Sequence, residues 1–479
     1  MATPIPDNCA VFSLRQIVEV TGAQLSGCGD GHVSGVTTDS RSDTSGKLFV
    51  ALSGDRFDGH DYLHDVVDRG ARAVIVERDT LLELPVPILR VDSTLRALGS
   101  IARLHRNRWN GKVIAIAGSA GKTTTRVATQ ALLEAIYPGS VHATPGNLNN
   151  QVGVPMTLLG LTDQHNYAVI EVGTNFPGEV RALAEVCQPD VAVLTLIGLE
   201  HTEGLGDLDG IEAEEGDIFG ILAPGSVAIG NGDDRRVVRQ LARRALQARQ
   251  VTYGCEQFVD YSATHQPGQH IDTTSIGIQR SERTGGGRLV FESTLLGKPG
   301  ALAAAAAVAV AESLGPPIDD ACVGQALFRN NLGEAGRLIV LKLNEGIVVV
   351  DDCYNANPPS MTSSIAVATE LAERRQSRLI LVLGEMRELG PHSEREHRIL
   401  GNKLGAASVV VAVGQQTQPL FDSARSAGVP SEYFSNADEA GVRIADLAEP
   451  GDVVLVKGSR GVKLEVVVRA LAAKKGYAA

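Results

Sequence analysis

The sequence predicts an α/β protein of three domains, with a doubly wound parallel sheet and a phosphate-binding loop at its centre and a Rossmann-like domain at its C-terminal end. Two observations support this fold class. Apolar runs of strand length alternate with helical patterns along most of the chain, which is typical of parallel sheets covered by helices. The chain has 479 residues, a length that corresponds to about three domains. We expect these domains to span 1–108, 109–334 and 335–479.

The composition is that of an ordinary globular protein, with 43% hydrophobic and 21% charged residues. A formal net charge of −12 argues against nucleic acid as the main partner. The six cysteines are scattered and form no CxxC pair, a pattern typical of reduced thiols that offers no zinc site. The first residues lack the basic and apolar regions of a signal peptide, and the apolar stretch 301–311 is too short to span a bilayer. We therefore expect a cytoplasmic monomer that does not insert into a membrane.

The first segment, 1–108, combines short strand patterns with one helical pattern, LRQIVEVTGAQ, and predicts a small α/β unit. Two polar clusters interrupt it. Ser40 and Arg41 follow a strand pattern, and residues 54–62 (GDRFDGHDY) form a charged loop. From the residues alone, such a loop is more typical of a solvated turn than of a ligand site.

The stretch 113–125, VIAIAGSAGKTTT, predicts a phosphate-binding loop. A buried strand breaks at Gly118, and a helical pattern opens at Lys122. Backbone N–H groups at a helix N-terminus favour an anion, Lys122 adds a cation, and Thr123 can reach a metal, so the expected ligand is the phosphate tail of ATP. Only the shorter GxxGKTT core is present, because Ile116 stands where the full motif has glycine, and an ordinary glycine-rich turn is the alternative. The expected nucleotide-binding residues here are Gly118, Ser119, Gly121, Lys122, Thr123 and Thr124.

Two further strand patterns of the central segment end at polar residues, Glu171 and His201. In a parallel sheet the carboxyl ends of strands meet at one crevice, so both side chains should lie near Lys122 and Thr123. Carboxylate, hydroxyl and imidazole groups there suit Mg²⁺ held partly by nucleotide phosphates. A lone histidine at a strand end is more often structural, and that alternative stays open. The asparagine-rich loop 142–155 is typical of a ligand-positioning loop.

The third segment predicts a second sheet with its polar groups at one edge. Four apolar strand patterns each run into a polar or glycine-rich loop, with helical patterns between them. These patterns lie at 347–361, 378–386, 408–414 and 452–461.

Seven stretches match the motifs of one known protein family in order and spacing: AGSAGKTTT, GNLNNQVGVP, IEVGTNFPGEV, EHTEGLGDLDG, DDCYNANPPSM, LGEMRELG and VKGSRG. Together with TTDSR and FVALSGDRFDGHD near the N-terminus, they cover nearly the whole chain. The chain resembles the Mur ligases, and GNLNN and YNANP are the most discriminating motifs. The resemblance implies ATP-dependent amide formation through an acyl phosphate. A UDP-muramoyl-tripeptide would bind to the first domain, ATP with Mg²⁺ to the middle one, and D-alanyl-D-alanine to the third.

The resemblance also implies roles for single residues. Lys122, Glu171 and His201 would be catalytic, with Lys122 stabilising the transferring phosphoryl group. The metal ligands would be Thr123, Glu171, His201 and, in place of a carbamylated lysine of the family, Glu215. The residues near the UDP-muramoyl-peptide would be Ser40, Arg41, Asn149 and Asn150. The third-domain residues closing on the nucleotide would be Arg337, Asp352, Tyr354 and Asn355.

Departures from the family pattern leave alternatives. Pro299, Gly300 and Ala303 stand where the family carries a His-Asn pair and a later Asn that contact the nucleotide. Glu215 is expected to reach the second Mg²⁺ through a water, or to be merely a solvated residue in an acidic run. An active ligase is the leading hypothesis. The alternatives are a catalytically inactive relative that binds nucleotide-sugars, and a ligase with a different amine acceptor.

Overall fold

The computed structural model describes residues 3–54, 57–78, 83–256, 258–328 and 332–478. In this described part of the chain the three largest sheets have five, nine and six strands, and one lies within each of the three predicted segments. The α/β prediction is confirmed, while the exact domain boundaries stay predictions. None of the described helices combines the length and the hydrophobicity needed to cross a bilayer.

The first segment forms a small twisted sheet with the strand order β2-β9-β8-β5-β4. Its elements are β1 (Val11–Ser13), α1 (Leu14–Thr21), β2 (Gln24–Ser26), β3 (His32–Ser34), β4 (Val36–Thr37), β5 (Leu48–Val50), β6 (Ser53–Gly54), β7 (Phe57–Asp58), α2 (Leu63–Asp68), β8 (Ala73–Val76), β9 (Ile88–Arg90) and α3 (Thr94–Arg108). The inner strands β5 and β8 are parallel and fully buried because helices cover both faces. The predicted helix is α1, which begins at a capping box formed by Ser13 and Gln16.

The central segment forms the nine-stranded sheet, in the order β11-β12-β10-β13-β14-β15-β16-β17-β18. Its elements are β10 (Lys112–Ala117), α4 (Lys122–Ile136), β11 (Val141–Ala143), α5 (Gly153–Leu159), β12 (Tyr167–Glu171), α6 (Glu179–Cys187), β13 (Val191–Leu194), α7 (Thr202–Leu205), α8 (Leu208–Gly220), β14 (Val227–Asn231), α9 (Arg235–Arg244), β15 (Arg249–Gly254), β16 (Tyr261–Pro267), β17 (Thr274–Arg280), β18 (Arg288–Ser293), α10 (Gly297–Leu314) and α11 (Asp320–Leu327).

Strands β11 to β16 of this sheet are parallel, and β17 and β18 extend it in antiparallel fashion. The alanine-rich stretch 301–311 lies inside α10, where all but Leu302 are buried. Small side chains allow α10 to pack closely against α4, the helix that begins at the phosphate loop. This packing holds the loop between a buried strand and two helices.

The third segment forms a six-stranded sheet, in the order β19-β20-β24-β21-β22-β23. Its elements are β19 (Ile339–Lys342), β20 (Val348–Asp352), α12 (Pro358–Arg375), β21 (Leu379–Gly384), α13 (Ser393–Gly401), β22 (Val409–Val413), α14 (Gln418–Ser426), β23 (Ser431–Phe434), α15 (Ala437–Leu447), β24 (Val453–Lys457) and α16 (Glu465–Lys475). The four predicted strands form the parallel part with β23, and β19 is an antiparallel edge strand.

The polar edges of the central and third sheets meet. Asn357, the N-cap of α12, donates from Nδ2 to the Ser119 carbonyl at 2.9 Å. Gly198 follows β13 and lies so close to Pro359 that a Cβ there would be 2.4 Å from the Pro359 Cγ. The phosphate loop is therefore enclosed by the third segment.

Candidate active site

The phosphate loop is shaped by two glycines with positive φ. Gly118 ends β10 with φ +123°, and Gly121 precedes α4 with φ +87°. A Cβ on Gly118 would lie 2.2 Å from the Thr195 Oγ1, and that hydroxyl donates to the Ala120 carbonyl at 2.7 Å. The loop is thus fixed to the end of β13, and its turn requires glycine at 118.

Lys122, the first residue of α4, lies among buried carboxylates. Its Nζ donates to the Gly118 carbonyl and lies 3.6 Å from the Glu200 Oε1. Burial disfavours the ammonium, but the charges of Glu200, Glu215 and Glu171 raise the pKa of Lys122 above its ordinary value. The predicted phosphate-binding cation is therefore held charged at the start of the helix.

Glu215 is completely buried against the phosphate loop. Its Oε2 accepts the Gly118 N–H at 2.7 Å. Burial raises the pKa of Glu215 to about 8, against the opposing charge of Lys122 and with a further rise from the neighbouring Glu200. Within the described part of the chain, the buried Oε1 atoms of Glu200 and Glu215 have no hydrogen-bond partner, although the Lys122 Nζ lies 3.6 Å from the Glu200 Oε1. Two carboxyl oxygens thus stand ready for a cation or a proton.

The alternative of a solvated acidic run around Glu215 is wrong. Glu212 and Glu214 are also buried, with 6% and 5% of their surfaces exposed. Glu214 accepts the N–H groups of Gly178 and Val180, at 2.6 and 2.7 Å, at the start of α6. The run is buried because α8 packs between α6 and α9, whose N–H groups and guanidinium groups satisfy the carboxylates.

Glu171, at the end of β12, is buried and accepts two side-chain hydrogen bonds. Thr123 Oγ1 donates to its Oε2 at 2.9 Å, and Asn149 Nδ2 donates to its Oε1 at 2.9 Å. The Arg126 Nε lies 3.5 Å from the same Oε2. Asn150 has a local role, since its Oδ1 accepts the N–H groups of the two residues that follow Gln151. The structure thus brings Thr123 and Glu171 together, as parallel-sheet geometry predicted, and it adds Asn149, which was expected near the UDP-muramoyl-peptide.

His201 lies near Glu200, the carboxylate that also faces Lys122, and has φ +48°. Its Nδ1 is 2.5 Å from the Oε2 of Glu388, a residue of the third segment, and its Nε2 is 3.8 Å from the Glu200 Oε2. Burial lowers the pKa of His201, but the hydrogen bond to Glu388 and the charge of Glu200 raise it overall.

The donor set fits a hard divalent cation. The described residues contain no group of three His, Cys, Asp or Glu side chains placed to hold a metal by themselves. Mg²⁺ is commonly bound by one or two protein oxygens together with nucleotide phosphates. The Thr123 hydroxyl, the Glu171 carboxylate and the unpartnered oxygens of Glu200 and Glu215 supply such ligands beside the phosphate loop.

A cavity of about 480 Å³ lies between the phosphate loop and the third sheet. This volume falls within the range of small-molecule sites. Its lining includes several residues that were expected to bind the nucleotide and two that depart from the family pattern. The expected residues are Ser119, Gly121, Thr124, Arg337, Asp352, Tyr354 and Asn355, and the departures are Pro299 and Ala303. The Tyr354 ring lies between two guanidinium groups, with Cζ of Arg337 4.1 Å and Cζ of Arg460 5.4 Å from its centroid. Asp352 is held in place by Lys457, whose Nζ lies 2.6 Å from its Oδ2.

Ser40 and Arg41 lie at the edge of the first sheet. The Arg41 guanidinium is exposed and pairs with Asp39 at 2.8 Å. Within the charged loop 54–62, residues 55 and 56 lie outside the described residues. His60 of this loop is buried, and both of its ring nitrogens are used. Its Nδ1 is 2.7 Å from Asp58, and its Nε2 accepts the Glu77 N–H at 3.1 Å. This end of the loop is therefore packed rather than solvated.

Three site residues were missed from the sequence: Arg126, Glu200 and Glu388. The strand expected to end near His201 ends at Leu194, and His201 is the N-cap of α7. Glu200 immediately precedes His201 in this loop, so its position was a usable signal. Glu388 lies in the stretch LGEMRELG, but nothing local to that stretch indicates its contact with His201. Arg126 is on the first turns of α4, and its pairing with Glu171 and Glu334 depends on the packing of two distant elements.

Models of known protein families match most of the chain, in three consecutive parts. The Mur ligase middle domain matches residues 116–311, the Mur ligase glutamate ligase domain matches 336–460, and the Mur ligase family catalytic domain matches 32–106. The UDP-N-acetylmuramoyl-tripeptide–D-alanyl-D-alanine ligase of Escherichia coli (strain K12) is 35% identical over 465 residues, which are 96% of this chain and 98% of the relative.

Solved structures agree. MurF from Acinetobacter baumannii superposes with a TM-score of 0.85 and 30% identity, over 98% of this chain and 100% of that one. MurF ligase from Thermotoga maritima in complex with ADP gives a TM-score of 0.79 and 27% identity, over 92% and 97% of the two chains. By sequence along nearly its entire length and by fold, the chain belongs to the Mur ligase family.

Proposed function

We propose that this protein joins D-alanyl-D-alanine to UDP-N-acetylmuramoyl-tripeptide and converts ATP to ADP and phosphate. The observation that carries the proposal is the charged, buried Lys122 at a phosphate loop that faces a nucleotide-sized cavity. The relatives described above carry the name of this activity. We also propose that it acts in the cytoplasm as a monomer, and its unpaired thiols suit a reducing compartment.

In this proposal, the chain binds, orients and neutralises charge. A carboxylate of the tripeptide substrate attacks the γ-phosphorus, ADP leaves, and an acyl phosphate forms. The amine of D-alanyl-D-alanine then attacks the acyl carbon, loses a proton and displaces phosphate. Lys122 supplies a fixed positive charge to the phosphoryl oxygens, and Arg337 and Tyr354 border the nucleotide from the third segment.

Mg²⁺ fits the same site. Thr123 and Glu171 would hold one ion, and His201 with Glu200 or Glu215 would hold a second. When bound, these ions would neutralise charge on the phosphates. The separate UDP site would involve Ser40 and Arg41 in the first segment.

One assay tests the function against both alternatives. ADP release is measured with UDP-muramoyl-tripeptide, with and without D-alanyl-D-alanine, and with other amines. We expect release that depends on D-alanyl-D-alanine. No turnover with any amine would indicate an inactive nucleotide-sugar-binding relative, and turnover only with another amine would indicate a different acceptor. Repeating the assay with GTP tests the effect of Pro299 and Ala303 in the cavity.

The variant Lys122→Ala tests the role of the buried, charged Lys122, the observation on which the proposal rests. We expect a loss of ligation of about a hundredfold or more, because a preorganised charge is removed from the phosphoryl-transfer site. Binding of the UDP substrate, measured by calorimetry, should stay nearly unchanged since that site lies in another segment. Lys112→Ala is the matched control, because its exposed ammonium pairs with Asp190 at the other end of β10. Loss of UDP-substrate binding in Lys122→Ala would refute the assignment of sites.

A further inference from the structure

Glu388 lies at the end of a rigid loop that follows β21. The Met386 N–H donates to the His397 Nε2 at 3.0 Å, and the Arg387 N–H donates to the Ser459 Oγ at 2.9 Å. His397 is completely buried. The backbone that carries Glu388 is therefore anchored to the third sheet immediately before it reaches the central segment.

Glu388 makes three contacts with the start of α7 in the central segment. Its Oε2 lies 2.5 Å from the His201 Nδ1. Its carbonyl oxygen accepts the Glu203 N–H at 3.3 Å and the Thr202 hydroxyl at 3.4 Å. One residue of the third segment thus contacts three consecutive residues that follow β13. Nearby, a Cβ on Gly390 would lie 3.3 Å from the Glu203 side chain, so the two segments are in close van der Waals contact.

The contact decides which nitrogen of His201 can act as a ligand. A carboxylate only accepts hydrogen bonds, so the Nδ1 of His201 must carry the proton that Glu388 accepts. In the neutral ring this leaves the lone pair on Nε2. That nitrogen faces Glu200, at 3.8 Å, and therefore the buried cluster around Lys122. A histidine that binds a metal commonly donates its other N–H to a carboxylate in this way.

We propose that Glu388 is a positioning residue that orients His201 for metal binding only when the third segment is docked. The proposal rests on the metal role of His201 in the proposed function. Docking of the acceptor-binding segment then completes the metal site, because the orienting carboxylate and the ligand come from different sheets. Binding of the second metal ion therefore stabilises the docked third segment, and docking strengthens binding of that ion by the same free energy.

The test measures Mn²⁺ binding to the ADP-bound protein, without turnover, by electron paramagnetic resonance. We expect Glu388→Ala to weaken the more weakly bound Mn²⁺ by about 10- to 100-fold, the range for loss of a carboxylate that orients a ligand histidine. Glu388→Gln should restore most of the affinity, because its amide oxygen can still accept from Nδ1–H. Glu394→Ala is the matched control: this carboxylate is 68% exposed on α13 and pairs only with Arg398 among the described residues.

The outcomes are distinct. A merely structural role would lower the thermal midpoint of Glu388→Ala without a selective change in Mn²⁺ affinity, and would overturn the proposal. Equal Mn²⁺ affinity in Glu388→Ala and Glu394→Ala would also overturn it, provided that His201→Ala weakens the same ion. If His201→Ala leaves Mn²⁺ binding unchanged, the metal assignment in the proposed function is wrong, and the proposal for Glu388 falls with it. Failure of the ligation assay alone leaves the Mn²⁺ test fully interpretable.

Discussion

The two glycines of the phosphate loop should respond differently to the same substitution. Gly118→Ala places a methyl group 2.2 Å from the Thr195 Oγ1 and 3.0 Å from the backbone N and O of Leu196, at φ +123°. Gly121→Ala meets nothing closer than the Thr195 Cβ at 3.8 Å, at φ +87°. Backbone strain of about 1–3 kcal/mol applies to both. Overpacking adds about 1–3 kcal/mol for Gly118 alone. Taking the middle of each range, we expect Gly118→Ala to destabilise the central segment by about 4 kcal/mol and Gly121→Ala by about 2 kcal/mol.

The assay is urea denaturation followed by tryptophan fluorescence. The chain has a single tryptophan, Trp109, which is buried and donates to the His165 carbonyl at 2.9 Å, so the signal reports the central segment. Adding Thr195→Ala to Gly118→Ala removes the nearest atom and should recover part of the loss, with the Leu196 contacts unrelieved. Equal destabilisation by the two glycine substitutions would refute the steric reasoning and leave backbone strain as the whole effect.

Three further predictions follow from the site and the first segment. Glu215→Gln should raise the Mg²⁺ concentration required for ADP release at least about tenfold, and the activity of the wild-type protein should not depend on bicarbonate. An unchanged Mg²⁺ dependence in Glu215→Gln would show that Glu215 is not part of the metal site. Small-angle scattering should show compaction when an ATP analogue and the UDP substrate bind, with the hinge near 333–336; identical profiles with and without ligands would contradict closure. Burial raises the pKa of Asp58, but hydrogen bonds from His60 and Ser53 outweigh this effect, and the pKa falls to about 2. Its stabilising effect is therefore present above its ordinary pKa of 3.8 and lost as pH falls towards 2. Circular dichroism should show that Asp58→Asn is less stable than wild type at pH 5 and similar near pH 2; a constant difference would contradict this.

The sequence predicted the parts of the fold that depend on local pattern. Buried parallel strands such as β10, β12, β20 and β21, and several of the helices, were predicted because continuous apolar runs and helical periodicity are both short-range signals. The parallel strands β14, β15 and β16 were not predicted individually. The antiparallel strands β17 and β18 were not, since their sequences, TSIGIQR and RLVFES, contain neither an apolar run of strand length nor an alternation of apolar and polar residues that continues over the whole strand. The edge strands β19 and β23 were missed for a related reason. Each is only four residues long, and none of its residues is fully buried.

The same distinction holds for the site. Lys122, Thr123 and Glu171 follow strands or open a helix, so parallel-sheet geometry alone predicted that they would meet. Arg126 and Glu388 act across elements far apart in sequence, and only packing brings them to their partners. Burial of Glu215 could not be predicted either, because it depends on which face of α8 the neighbouring helices cover.

The charge balance of the buried cluster supports our proposal that a divalent cation binds together with the nucleotide. Among the described residues, Lys122 lies beside Glu200, Arg126 lies beside Glu171, and the His201 Nε2 lies 3.8 Å from the Glu200 Oε2. Burial raises the pKa of Glu215 to about 8, so a proton on this carboxyl is favoured relative to an exposed glutamate. A nucleotide polyphosphate brings several more negative charges into the same enclosed space, and a single proton cannot offset them. A divalent cation that displaces this proton neutralises both the carboxylates and the phosphates. The Oε1 atoms of Glu200 and Glu215 accept no hydrogen bond from the described residues, and we therefore expect them to gain a further partner when the nucleotide and its cation bind.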